Sequence, residues 1–139
     1  MTRPPHHDLR LVALVAAGGA VGTSARWALV ETVGSTAGGW PTATFVANLL
    51  GSFLLGVLLE GLLRRGPETP RRQRLRLGLG TGVLGGFTTF SSLALELERL
   101  LAGGQVGTGV LYGVASLVLG LVACLLGIAL AARLSRART

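Results

Sequence analysis

The 139-residue sequence contains no lysine: all 13 of its basic residues are arginine, set against only six acidic ones. It has one cysteine, Cys124, and two histidines, His6 and His7, side by side in a polar N-terminal tail. A lone cysteine inside an apolar stretch reads as a packing residue and says little about redox compartment. No nucleophile–base pair and no metal-ligand spacing occurs, which argues against an enzyme, and the two histidines read as a surface feature. Met1 to Arg10 lacks the charged start and small-residue cleavage pattern of a signal peptide. Nor is there length left over for a soluble domain. The formal charge of +7 suggests nucleic acid at first sight. The arginines, however, cluster just outside apolar stretches, where membrane topology explains them and a nucleic-acid partner does not.

What the chain has in quantity is apolar residues, at 50%, and glycine, at 22 positions. Four long stretches with little or no charge run over about residues 9–30, 42–63, 75–101 and 106–132, each near the roughly 20 residues that cross a bilayer. The reading is an all-α integral membrane protein of a single domain with four transmembrane helices. Four short helices leave little room for a polar path through their centre, so conduction by this chain calls for an oligomer.

The third stretch is anomalous. Gly82-Val83-Leu84-Gly85-Gly86-Phe87-Thr88-Thr89-Phe90-Ser91-Ser92 places three glycines and four hydroxyls in eleven positions, a composition that forms helix poorly. Backbone amides in lipid must still find partners, so a break there survives only where protein or a polar cavity surrounds it. Broken membrane helices free carbonyls and amides that hold ions in transport proteins. The stretch is therefore expected to interrupt the third helix and to be where subunits meet around an ion.

The other spans carry fewer signals. Gly18 and Gly22 share a helix face and suit close helix packing. Arg26 either snorkels to the interface or faces a polar vestibule, and Trp27 fits an interfacial aromatic belt. Pro41 suits the first turn of the second helix. Thr44, Asn48, Ser52 and Gly56 recur every four residues and stack along one face. A buried Asn48 either bonds another helix or lines a pore, and the continuation of the stripe through Thr44 and Ser52 favours the pore. Glu60 is expected at the interface. In the fourth span Gly113, Gly120 and Gly127 recur every seven residues as a packing seam, while Tyr112 and Ser116 make one face partly polar. Residues 64–76 hold six arginines. These, with Arg3, Arg10 and three C-terminal arginines, make eleven on one side against Arg26 and Arg99 on the other, which puts both termini and the middle loop in the cytoplasm. Binding of anionic lipid headgroups is the functional alternative for that loop.

The segments Gly18-Gly19-x-x-Gly22-x-x-x-Arg26, Phe45-Val46-x-Asn48-x-x-Gly51-Ser52-Phe53-x-x-Gly56 and Gly85-Gly86-Phe87-Thr88-Thr89-Phe90-Ser91 resemble those of the Fluc (CrcB) fluoride channels, in order and across essentially the whole chain. The resemblance implies an antiparallel, dual-topology dimer that exports fluoride passively across the inner (plasma) membrane. It implies two fluoride paths at the dimer interface and a central structural sodium ion that is not transported, held by backbone carbonyls matching Gly85 and Thr88. It further implies a pore asparagine at Asn48, a pore phenylalanine at Phe90, a hydroxyl track at Tyr112 and Ser116, and a vestibule arginine at Arg26. Thr44, from the stripe it shares with Asn48, and Ser91, from the break, join the fluoride path. The chemistry agrees: asparagine amides and hydroxyls donate hydrogen bonds, a phenyl edge is electropositive, and a bound cation raises the local potential for an anion.

Two positions depart from the family pattern. The second pore phenylalanine falls at Leu93 and the third hydroxyl of the track at Gly120, so one path through a dimer is expected to be weakened. The eleven-to-two arginine bias also suits insertion in one orientation and pairing with an oppositely oriented paralogue. Two other readings stand beside the channel. One is a structural or half-active partner subunit. The other is a small four-helix drug–proton antiporter, which needs an embedded carboxylate that the first span lacks before Glu31.

Overall fold

A computed structural model describes residues 8–33 and 39–136. His6, His7, Arg3, Arg138 and residues 34–38, the larger part of the glycine-rich stretch 34–41 whose sequence reads as a short turn, lie outside the described residues. Every regular element among the described residues is helical. Helix α1 spans Leu9–Val33 and α2 spans Thr42–Leu63. The Asp8 side chain accepts from the Arg10 amide at 3.0 Å and caps the start of α1. Pro41 precedes the first helical residue of α2 instead of lying in its first turn, because its ψ of 70° is not helical. Its carbonyl still accepts from the Phe45 amide at 3.1 Å.

The third stretch is composite. A short helix, α3, covers Pro70–Leu75, with Thr69 as its N-cap and Pro70 in its first turn. It runs on as a wide π-helix over Arg76–Leu84 and then as a single turn, α4, over Gly85–Phe87. Thr88 and Thr89 are extended, with ψ of 155° and 118°. Helix α5 then covers Phe90–Ala102, and after Gly103-Gly104-Gln105 the long α6 covers Val106–Arg136. π-Turns are uncommon and gather at functional sites. Here Gly78, Gly80 and Gly82, all buried, supply a backbone with no side chain to crowd the wider coil.

Packing divides the bundle into two pairs. Helix α1 lies on the π-helix and α4, and α2 lies on α6. Glycine sets the spacing in both. A Cβ at Gly22 would collide with the Val83 carbonyl and come within 2.9 Å of the Phe87 amide. Between α2 and α6, Gly56 abuts the Cys124 carbonyl and Gly127 the Phe53 carbonyl. The expected seam along α6 is therefore uneven. Gly127 is a close backbone contact and a Cβ at Gly113 would meet Leu97 at 3.4 Å, but one at Gly120 would meet only the Ser52 hydroxyl at 3.8 Å. Helix α5 folds back along α6, burying Leu93 and Leu100 against Tyr112, with Trp40, Phe45 and Leu97 around them.

The interior is small and the outer surface apolar: Leu111, Val114, Leu117, Leu121 and Leu125 of α6 are all exposed. Helices α1, α2 and α6 are each long and apolar enough to cross a membrane. This is a helical membrane protein, and lipid covers what a soluble protein would have to bury.

The glycine contacts predict an asymmetry between neighbours. Gly22→Ala overpacks the α1 contact and is expected to cost about 1–3 kcal/mol. Gly19→Ala, where an added Cβ meets nothing within 4 Å, is expected to be tolerated. Thermal unfolding of the two variants in one detergent, followed by gel filtration, checks this; equal losses would remove the close approach at Gly22.

Candidate functional site

The extended pair Thr88-Thr89 is held by one side chain from the neighbouring helix. The Asn48 amide nitrogen donates to the Thr89 carbonyl at 3.1 Å, and the Thr89 amide donates to Asn48 Oδ1 at 2.8 Å. This pairing replaces the helical acceptor of the Thr89 amide and adds to the bond that the Thr89 carbonyl, as N-cap of α5, already accepts within the helix. The Thr89 hydroxyl in turn caps α5 by accepting from the Ser92 amide at 3.1 Å, and it lies 3.2 Å from the Ser91 hydroxyl.

Both bonds have a consequence one turn back. In a continuous helix the Thr89 amide would close on the Gly85 carbonyl and the Ser92 amide on the Thr88 carbonyl. The first donor has gone to Asn48 and the second to the Thr89 hydroxyl. The carbonyls of Gly85, Gly86, Phe87 and Thr88 all lose their helical donors at the interruption, the two expected sodium ligands among them. The intervening Gly86 carbonyl is served from α1, by Arg26 Nε at 3.3 Å and the Thr23 hydroxyl at 3.4 Å. Arg26 is half-buried and bound to the backbone of the interrupted stretch, which neither of its two sequence readings described.

Asn48, Ser52, Gly85, Thr88, Phe90 and Ser116 line one open cavity of about 310 Å³ between α2, the interruption and α6. Two of its features stand out physically. The Ser116 hydroxyl is buried, in a residue 8% exposed, and has no hydrogen-bond partner among the described residues, although a buried hydroxyl ordinarily has one. Phe90 is 77% exposed at the cavity edge, an unusual position for a phenyl ring unless lipid or protein covers it. Leu93 lines the same cavity but is buried against Tyr112.

Thr44 and Tyr112 belong to a second cluster. Their hydroxyls donate to the two oxygens of Glu96, each at 2.6 Å. Tyr112 is wholly buried, with the Trp40 ring edge-on at 5.3 Å. A cavity of about 490 Å³ opens beside this cluster and reaches Arg99. Glu96 was not among the site residues read from the sequence. The signal available was a carboxylate within the third apolar stretch, which marks function by default.

Of the expected site residues, the structure brings Asn48, Gly85, Thr88, Phe90 and Ser116 to one cavity. It places Thr44 and Tyr112 on Glu96, Arg26 on Gly86, and Ser91 exposed beside Thr89.

These features define a class: a small multi-span helical membrane protein whose polar side chains converge on an interrupted segment. The comparisons narrow it. Residues 13–128 match the family model described as CrcB-like protein, Camphor Resistance (CrcB), and the chain belongs to the CrcB family. It is 47% identical over 129 residues to the protein named fluoride-specific ion channel FluC 2 from Leifsonia xyli subsp. xyli, covering 93% of this chain and 88% of that one. It is 49% identical over 115 residues to fluoride-specific ion channel FluC from Thermus thermophilus, covering 82% and 87%. Fluoride-specific ion channel FluC 1 of Mycobacterium tuberculosis is 42% identical over 119 residues, covering 86% and 88%.

The Asn48 pairing predicts the effect of a near-isosteric change. Asn48→Asp keeps an acceptor for the Thr89 amide but sets an oxygen against the Thr89 carbonyl. The expected cost is about 1–3 kcal/mol, the penalty for an unsatisfied buried polar group. Thermal unfolding in detergent reads it, and an unchanged midpoint would mean that Asn48 does not hold the interruption.

Proposed function

We propose that this chain is a subunit of a fluoride channel that lets fluoride leave the cell passively across the plasma membrane. The names of its relatives support this reading. The observation that carries it is the cavity lined by Asn48, Phe90 and Ser116 beside the interrupted helix. Fluoride is small and strongly hydrated, so a path for it must replace lost water with hydrogen-bond donors. Asn48 commits one amide hydrogen to Thr89 and keeps the second. The unpartnered Ser116 hydroxyl is another donor, and the exposed Phe90 offers its electropositive ring edge. Thr44 and Tyr112 become donors to an anion only on release from Glu96, which otherwise takes both hydrogens.

The assembly we propose is an antiparallel dimer that covers the open face bearing Phe90, formed with a second copy or an oppositely oriented paralogue. A sodium ion at its centre fits the chain's own backbone. Sodium is a hard ion that prefers oxygen, and the Gly85 and Thr88 carbonyls are among the four, 85 to 88, deprived of helical donors. Bound there, it supplies fixed positive charge that steadies the interruption and raises the potential for an anion nearby. Arg26, on the Gly86 carbonyl, adds a further positive group on the α1 side. The arginine distribution supports cytoplasmic termini.

A second reading rests on Leu93, which is buried against Tyr112 and Leu100 and offers no ring edge, and on Gly120, where only the Ser52 hydroxyl is near. In that reading the chain contributes one competent path and needs a paralogue for the rest.

Efflux from liposomes containing the purified chain alone, followed with a fluoride electrode, separates the two. Rapid efflux is expected for a self-sufficient channel, and efflux only after adding a paralogue for a half-active subunit. Silence in both preparations would overturn the channel reading. Phe90→Ile is expected to abolish the flux by removing the ring edge, while retained flux would take Phe90 out of the path.

A further inference from the structure

At the end of the bundle away from the Glu96 cluster, a cavity of about 580 Å³ opens between α2, the loop that follows it and α6. Gly56, Leu59, Leu63, Cys124 and Ile128 give it an apolar wall. Leu59 and Leu63 are exposed. From Gly56 to Leu63 the wall rises roughly 10 Å, at about 1.5 Å per residue, ending at Pro67, Arg72 and Arg76. Glu60 and Glu68 line the same end, so the cavity is apolar along a membrane helix and charged with both signs where the helix leaves the membrane, and its character there turns on which charges are paired.

The cations are not equally compensated. Arg64 pairs with Glu60, and Arg76 with Glu68 at 2.7 Å. The hydrogen bond from Arg76 holds the Glu68 carboxyl below its ordinary range, so that pair stays charged and self-neutralising. Arg72 differs. One of its terminal nitrogens donates to the Pro67 carbonyl at 2.7 Å, which leaves most of its five N–H donors unused. Among the described residues no carboxylate pairs with Arg72, nor with the exposed Arg65, Arg71 and Arg74 around it. Residues 64–76 carry six arginines and one glutamate.

We infer that this cavity holds one anionic phospholipid, an acyl chain along Leu59, Leu63 and Ile128 and the headgroup phosphate on Arg72. An apolar slot capped by an uncompensated guanidinium complements a molecule with an apolar tail and an anionic phosphate, and guanidinium binds phosphate in a bidentate manner. The surrounding arginines add the diffuse attraction that basic juxtamembrane segments have for anionic headgroups. The inference stands apart from fluoride conduction, since none of these residues lines the cavity at the interruption.

The test is native mass spectrometry of the full chain extracted from phosphatidylcholine vesicles with and without phosphatidylglycerol. Wild type is expected to retain one phosphatidylglycerol per chain in preference to phosphatidylcholine. Arg72→Gln is expected to lose it. Arg74→Gln, which removes the same charge outside the cavity, is expected to keep it. Leu59→Trp fills the slot without changing charge and is expected to expel the lipid. Millimolar inorganic phosphate should leave the lipid in place. Any of four results would overturn the inference: no preference in wild type, equal loss in Arg72→Gln and Arg74→Gln, retention in folded Leu59→Trp, or displacement by phosphate, which would make the site one for the free anion. Because the first result is read on wild type, the inference can fail even if a variant does not fold.

Discussion

The Asn48 amide gives the Thr89 N–H the acceptor that a helical turn would otherwise supply and adds a second donor to the Thr89 carbonyl, and much of the architecture depends on that pairing. An extended dipeptide inside an apolar stretch exposes amides and carbonyls that lipid cannot satisfy. Once Asn48 pairs with Thr89, and the Thr89 hydroxyl pairs with the Ser92 amide, helix α5 can begin afresh at Phe90. The same two bonds divert the donors that Gly85 and Thr88 would have had. Stabilising the interruption and creating its polar backbone are therefore one event.

Close approach of the backbones makes this possible. Glycines at 22 and 86 let α1 lie against the π-helix and α4 without side chains between them. At that separation Arg26 and Thr23 reach the Gly86 carbonyl across the helix pair. On the other side, a Cβ at Gly51 would overlap the Thr88 methyl group, so α2 approaches closely enough for Asn48 to reach Thr89. A wider bundle would leave the same polar residues unable to meet. The outer helix faces need no such precision, and they carry the branched and leucine side chains that lipid covers.

The polar groups then separate by role along the bundle. Glu96 collects the Thr44 and Tyr112 hydroxyls at one end, with aromatic rings packed on Tyr112 and an open cavity beside the carboxylate. The interruption holds the middle, with donors and carbonyls facing a cavity open toward whatever covers Phe90. The loop after α2 gathers uncompensated arginines at the other end, beside an apolar slot. Each region places charge or hydrogen-bonding capacity where lipid alone would disfavour it, and each has a different means of compensation: side-chain donors, diverted backbone bonds, and exposure at the membrane boundary.

The sequence by itself determined the membrane class, the helical content and the location of the anomaly, because those follow from local composition. Runs of leucine and valine define spans, and glycine with threonine between residues 82 and 92 weakens helix wherever it occurs. It also singled out Asn48, as the only amide in its span. It did not determine what Asn48 does, since a pore donor and a bridge to another helix require the same residue at the same spacing. Only the tertiary structure decided that Asn48 faces the Thr89 backbone, that Thr44 and Tyr112 give their hydrogens to Glu96, and that Arg26 serves the Gly86 carbonyl. Those assignments depend on the distance and rotation between helices, which glycine contacts dozens of residues apart in the chain set together and which no local pattern encodes.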